Sequence, residues 1–326
     1  MDEFNIIKKY FYPLTNKCPQ SQLLTDDVAY LEDKNLVVSS DLMTENIHFK
    51  ITDGAFNIAN RLIRSNLSDI ASSGSKPLYY TLNFTKNNKI DENFIKEFSK
   101  ALEVNNQKFN INLIGGDSSK SDNNLFFSIT IFGESQKYIL SRNNAVNQNL
   151  IFTSGYIGDA FLGRIIAEKQ LNISNNKKDA QFLINRYYNP EPRISLGIEL
   201  VKKQLSKCAI DISDGLLADL NQICLSSKIK ANIFYDKIPI SKAAKNILKH
   251  NPNTNYQDLM SGGDDYELIF TIKKENIEEL SLLSKTLNIK LTNIGYFTTK
   301  NIESEDNIQL FKDNKLIKIN KLGYEH

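Results

Sequence analysis

Short β-prone runs alternate with stretches of helical period through both halves of the chain, and this alternation limits the possible folds more than any other feature. Residues 36–38, 78–84 and 126–132 read as strands rich in aromatic and β-branched side chains. Between them Phe56, Ala59, Leu62, Ile63, Leu67 and Ile70 recur at helical spacing. Phe94, Ile95, Phe98 and Leu102 do the same behind Asp91, a helix-opening residue. Interleaved strands and helices pack as an α/β layer, with the helices lying on a sheet face.

The pattern restarts near residue 143. Residues 150–152 predict a buried strand running into the turn at 154–159, and 208–210 and 229–235 predict strands around a helix that begins near Asp214. Residues 267–272 and 289–296 flank another helix, while Pro190 and Pro192 interrupt the helical stretches upstream. A length of 326 residues fits two domains at roughly 150 residues each. The expected fold class is therefore α/β (α+β), with an N-terminal domain over 1–140 and a C-terminal domain over 141–326.

Composition narrows the function. Forty Lys and Arg against 38 Asp and Glu leave a formal charge of +2, which is no electrostatic footprint for nucleic acid or for an anionic membrane. The apolar runs fall short of the roughly 20 residues that span a bilayer. The N-terminus lacks the basic start and apolar core of a signal peptide. Cys18, Cys208 and Cys224 form neither a Cys-x-x-Cys pair nor a disulfide framework. The expected location is the cytoplasm.

Carboxylates carry the chemical signal. Asp41 follows the 36–38 run, Asp117 follows Gly115-Gly116, Asp211 and Asp214 follow Ile210, and Asp264 and Asp265 follow Gly262-Gly263. One Asp beside small residues is an ordinary turn former or helix cap. Recurrence of the pattern at strand ends is different, because carboxylates gathered at one locus repel one another unless cations join them. Oxygen donors without a Cys or His cluster select a hard cation such as Mg²⁺, which binds through a few carboxylates together with substrate phosphates. The chain lacks a P-loop, a protein-kinase catalytic loop and a Gly-x-Gly-x-x-Gly fingerprint, so phosphate chemistry requires another scaffold.

Six motifs in order identify such a scaffold: Thr25-Asp26-Asp27-Val28-Ala29; Ser39-Ser40-Asp41 with His48-Phe49; Asn66-Leu67-Ser68-Asp69-Ile70-Ala71; Gly115-Gly116-Asp117; Ile210-Asp211-Ile212-Ser213-Asp214-Gly215; and Ser261-Gly262-Gly263-Asp264-Asp265-Tyr266-Glu267-Leu268. Together they resemble the thiamine-monophosphate kinases of the aminoimidazole-ribonucleotide-synthetase-like superfamily. The resemblance implies an N-terminal mixed sheet with helices on one face, paired with a second copy into a dimeric barrel, and a C-terminal α/β sandwich that completes a nucleotide and substrate cleft. It implies Mg²⁺-dependent transfer of the γ-phosphoryl of ATP to thiamine monophosphate, giving thiamine diphosphate.

By the same resemblance, Asp27, Ser39, Ser40, Asp41, Asp69, Asp117, Asp211 and Asp214 are the metal ligands, with Asp41, Asp69, Asp117 and Asp211 central to catalysis. Gly116, Asp117, Arg142 and Ser213 are nucleotide contacts. His48, Asp264 and Tyr324 are contacts to the thiamine compound, although Asp264 stands where many relatives carry the longer Glu. Sister enzymes such as selenophosphate synthetase or aminoimidazole ribonucleotide synthetase, or a nucleotide-binding protein without turnover, are the alternatives. Transfer is expected to be direct and in line, since a phosphate monoester with a second pKa of about 6 is already anionic and needs no general base.

Overall fold

Two sheets, one in each half of the chain, carry the fold in a computed structural model that describes residues 3–15, 18–173, 176–300 and 306–324. The first comprises β1 (Ala29–Leu31), β2 (Leu36–Thr44), β3 (Lys76–Lys86), β4 (Asn112–Lys120) and β5 (Phe126–Glu134), in the spatial order β1-β2-β5-β3-β4. Its neighbours are antiparallel except β3 and β4, which run parallel. A parallel pair needs a crossover. The Glu92–Phe109 helix supplies it, opened by Asp91, whose side chain accepts a hydrogen bond from the Phe94 amide at 2.8 Å.

Strand alternation makes this sheet two-faced. Phe127, Ile129 and Ile131 of β5 point into a core shared with the Ala55–Ser72 and Glu92–Phe109 helices. No helix among the described residues covers the opposite face, and Leu42 and Tyr79 are exposed, as are Leu113 and Ile114 of the edge strand. Within one chain the sheet is open and does not close into a barrel.

The second sheet comprises β6 (Leu150–Ser154), β7 (Ala209–Asp211), β8 (Ile229–Phe234), β9 (Leu268–Ile272), β10 (Leu291–Thr299), β11 (Ile308–Lys312) and β12 (Lys315–Ile317), in the order β12-β11-β8-β10-β6-β9-β7. Both of its faces are covered. Ile151 and Ile269 join a core with the Asp159–Ala167 and Leu216–Ser227 helices, whereas Phe152 and Phe270 join one with the Ile194–Lys202 and Ile277–Leu287 helices. Every residue of β9 is buried, as expected of a strand enclosed on both faces. No helix among the described residues is long and apolar enough to cross a membrane.

The strands run further than the apolar runs predict. Asp41 and Asp117 lie inside β2 and β4 rather than after a strand end. Backbone pairing is the reason: β5 matches β2 from Leu36 to Thr44, so the polar Ser39-Ser40-Asp41 segment stays in the ladder on the strength of its partner.

The Ala55–Ser72 helix joins the two halves. It packs against β2, β5 and the Glu92–Phe109 helix on one side, and against β7 and the Ile194–Lys202 helix on the other. That second approach depends on Gly197, where an added Cβ would sit 2.1 Å from the Ala71 carbonyl oxygen. Gly197→Ala is expected to destabilise the protein by about 1–3 kcal/mol through overpacking, read as a lower urea midpoint. Gly115→Ala, whose Cβ would meet only Thr81 at 3.9 Å, should leave the midpoint nearly unchanged.

Candidate active site

The central helix brings carboxylates from separate segments together. Oxygens of Asp27, just before β1, of Asp69, on the helix, and of Asp211, the last residue of β7, all lie within 4.8 Å of one another. Each accepts a hydrogen bond from a serine hydroxyl: Ser72 to Asp27 at 2.8 Å, Ser39 to Asp69 at 2.5 Å and Ser68 to Asp211 at 2.6 Å. Ser68 and Ser72 are one helical turn apart and so face the same locus. Arg142 adds one positive charge through an ion pair with Asp27.

One guanidinium and three hydroxyls do not balance these charges. Burial, then Asp41, Asp211 and Asp27, push the Asp69 carboxyl well above its usual range. Burial and Asp27 raise Asp211 to about 8, against the lowering effect of Ser68 and Arg142. Asp41 rises to about 6 through burial and its neighbours Asp27 and Asp214. Closely held acids of this kind must bind either protons or a cation. An all-oxygen donor set fits a hard divalent ion such as Mg²⁺.

The loop after β7 is fixed from behind. Amides of Ser213, Asp214 and Gly215 all donate to the same Asp219 carboxylate oxygen at 3.1 Å, which holds Asp214 beside the cluster while Ser213 stays exposed. The C-terminal segment reaches the same loop: the Tyr324 amide donates to the Asp214 carbonyl at 2.9 Å, and its ring is partly exposed.

Two expected ligands stand differently. Ser40 points to the other face of β2, where its hydroxyl meets Thr130 Oγ1 at 3.0 Å, as the period of two requires. Only its backbone can serve a site on the helix-covered face. Asp117 lies on β4, separated from β2 by β5 and β3, or roughly 14 Å at the usual strand spacing. One chain does not bring it into the three-carboxylate cluster. Beside it, Gly116 passes so close to β3 that a Cβ would sit 1.8 Å from the Leu82 carbonyl oxygen.

Two of the residues expected to meet the thiamine compound, His48 and Asp264, converge from the two halves. His48 accepts the Thr44 amide on Nδ1 at 3.0 Å, which places any proton of the neutral ring on Nε2. Its carbonyl accepts a hydrogen bond from Arg61. The Asp264 carboxylate meets Arg61 at 2.8 Å and Arg164 at 3.3 Å.

Ser68, Ser72, Asp219 and Arg61 were not singled out by the sequence reading. For the two serines a signal existed: polar residues at i and i+4 of one helix, on either side of Asp69. Asp219 also had a local signal, an acidic residue in the first turn of a helix where free backbone amides lie, whereas the partners of Arg61 lie on other segments and no local pattern marks it.

Residues 25–135 match the N-terminal domain of AIR synthase related proteins, and residues 147–306 match their C-terminal domain. Thiamine-monophosphate kinase from Buchnera aphidicola subsp. Schizaphis graminum is 36% identical, with 100% of this chain and 98% of that protein covered. The Haemophilus influenzae thiamine-monophosphate kinase is 35% identical over 92% of this chain and 90% of its own length. The crystal structure of thiamine-monophosphate kinase from Stenotrophomonas maltophilia superposes with a TM-score of 0.77 at 29% identity, covering 95% of this chain and 98% of the other. AaThiL complexed with AMPPCP and TMP shares the fold, with a TM-score of 0.83 at 24% identity over 100% and 97% of the two chains. Matching domains in the same order and full-length identity above 30% place this chain in the thiamine-monophosphate kinase family.

Proposed function

We propose that this chain phosphorylates thiamine monophosphate to thiamine diphosphate by direct, in-line transfer of the γ-phosphoryl of ATP in the presence of Mg²⁺. The supporting observation is the close cluster of Asp27 and Asp69, both half-buried, with the buried Asp211, which is stable at neutral pH only with cations or protons. In this reading Asp27, Asp41, Asp69, Asp211 and Asp214, with the backbone of Ser39 and Ser40, hold Mg²⁺. Bound there, Mg²⁺ would neutralise the phosphates and the charge that develops during transfer.

The chain's own groups then position the reactants. Arg142, fixed by Asp27, and Ser213, at the exposed tip of its loop, face the nucleotide, while His48, Asp264 and Tyr324 hold the thiamine compound. Asp117 and Gly116 are assigned to the nucleotide side by family resemblance alone. No side chain is needed as a base, because the acceptor phosphate is already anionic at neutral pH. We also assign a homodimer, supported by the helix-free face of the first sheet with exposed Leu42 and Tyr79 and the apolar edge residues Leu113 and Ile114.

Three measurements check this assignment. In a coupled ADP-release assay with Mg²⁺ and ATP, turnover is expected with thiamine monophosphate and not with thiamine, an aminoimidazole precursor or selenide. Turnover with either of the last two would move the chain to a sister activity. Sedimentation should give twice the 37.2 kDa chain mass, and Tyr79→Lys, which sets a charge on the open face, should shift the protein toward one chain.

Asp69→Asn should lower turnover by roughly 10²- to 10³-fold, as expected when one electrostatic stabiliser is lost. Stability should move the other way in chelator. Because the folded-state pKa of Asp69 lies above the ordinary 3.8, ionisation costs stability at neutral pH, and this cost fades as the pH falls through the folded value toward 3.8. The variant should therefore melt higher than the parent at neutral pH, with the gap closing in acid. Asp33→Asn, in the exposed Glu32–Lys34 turn, should change neither quantity.

A further inference from the structure

We propose that Arg61 is a positioning residue for the acceptor compound, binding the His48 segment of the N-terminal half and Asp264 of the C-terminal half into one rigid recognition edge. The inference builds on the proposed function, because it takes His48 and Asp264 as the acceptor contacts.

Arg61 is buried at the junction of the two halves, and its guanidinium divides its donors between them. Nη1 donates to the His48 carbonyl and, at 2.9 Å, to the Tyr187 hydroxyl, while Nη2 donates to Asp264 Oδ1 at 2.8 Å. The guanidinium also lies 4.1 Å from the centre of the Tyr187 ring, a stacking contact that fixes its plane. Among the described residues the buried Nε–H has no hydrogen-bond partner, so the two terminal nitrogens carry the hydrogen bonds of this guanidinium. Burial opposes the charge, but Asp264, Tyr187 and Tyr266 outweigh it and raise the Arg61 pKa.

Asp264 has a second cationic neighbour, which approaches without hydrogen-bond geometry. Arg164 approaches its other carboxylate oxygen at 3.3 Å, so each oxygen faces a guanidinium. The backbone adopts left-handed angles at Asp264 (φ 65°) and Tyr266 (φ 50°), uncommon for non-glycine residues and less costly for Asp than for Tyr. The Asp264 amide donates to the Ser213 carbonyl and the Tyr266 amide to the Ile212 carbonyl, both at 2.8 Å. Between them, the Asp265 carboxylate accepts the amides of Gly158 at 2.6 Å and Ala160 at 3.1 Å. A short aspartate carries its carboxylate one methylene less far than glutamate, so its aim depends on the groups that grip it. Arg61 is the grip that also reaches His48.

Lysine at this position would keep the charge but lose the planar fork and the stacking on Tyr187. In steady-state kinetics of the full chain with Mg²⁺, ATP and thiamine monophosphate, Arg61→Lys is expected to raise the KM for thiamine monophosphate about tenfold. The KM for ATP should stay within about twofold and kcat within about threefold. Adding Asp264→Asn to Arg61→Lys should raise the acceptor KM less than Asp264→Asn does alone, because the two changes break one coupled contact. Tyr187→Phe, which removes only the hydroxyl partner, should raise the acceptor KM in the same direction by a smaller factor. An unchanged acceptor KM in Arg61→Lys overturns the inference. So does a parallel decline in melting temperature and kcat with both KM values constant, the signature of a merely structural arginine. If Arg61→Lys does not fold, Tyr187→Phe decides: a selective rise in acceptor KM supports the role and no rise overturns it. Absence of turnover in the parent protein would instead strike at the proposed function, an outcome separate from any behaviour of the variants.

Discussion

The structure depends on the burial of one helix that is not apolar. Ala55–Ser72 is enclosed on nearly every side, yet it carries Asn60, Arg61, Arg64, Ser65, Asn66, Ser68 and Ser72 into the interior. A buried polar group without a partner costs about 1–3 kcal/mol, so each of these side chains constrains what packs against it. Asn66 takes the Asp41 amide at 3.2 Å, Asn60 reaches Asn189 at 2.8 Å, and Arg64 meets Asn105 at 2.9 Å and the Pro190 carbonyl at 3.1 Å. Apolar contacts alone would let a helix slide or rotate at modest cost. These bonds define its rotation and height relative to both halves, and thereby the position of Asp69.

The site inherits its electrostatics from that arrangement. Gathering Asp27, Asp69 and Asp211 in a buried place works against folding, and the neighbouring groups offset only part of the cost: serine hydroxyls supply directed donors, while Arg142 supplies a single charge. The scaffold therefore provides rigid oxygens whose full complement is a cation. Behind them, Asp219 gathers three amides of the 213–215 loop, and burial and the acids nearby drive its carboxyl well above the usual range. The acidic character of the locus thus extends beyond the groups that face a ligand.

Much of this was readable from residues alone. The two α/β halves follow from strand and helix periods, and Asp27, Asp69 and Asp211 were named from motifs that do come together in space. The unreadable part has a common physical origin. Periodicity describes one stripe of a helix, so Leu62, Ile63, Leu67 and Ile70 announced the Ala55–Ser72 helix but gave no hint that its Asn and Arg faces are buried too. Alternation vanishes at Ser39-Ser40-Asp41 and at Gly115-Gly116-Asp117, where pairing with a neighbouring strand rather than side-chain pattern sustains the strand. Arg61 acquires meaning only through partners on other segments, and no spacing rule anticipates such contacts.

The enclosure of the Ala55–Ser72 helix by both halves also bears on how the chain acquires its structure during synthesis. Residues of the first sheet and their helices leave the ribosome first, but one flank of this helix is sealed only by β7 and the Ile194–Lys202 helix, more than a hundred residues later. Until then Arg61 lacks Asp264 and Arg64 lacks the Pro190 carbonyl, so the nascent N-terminal half holds a core that is only partly closed. Contacts of such long sequence separation form slowly, because loop closure precedes the gain. The second half, through β7 and the Ile194–Lys202 helix, thus completes the enclosure of a helix that the first half can cover on one flank only.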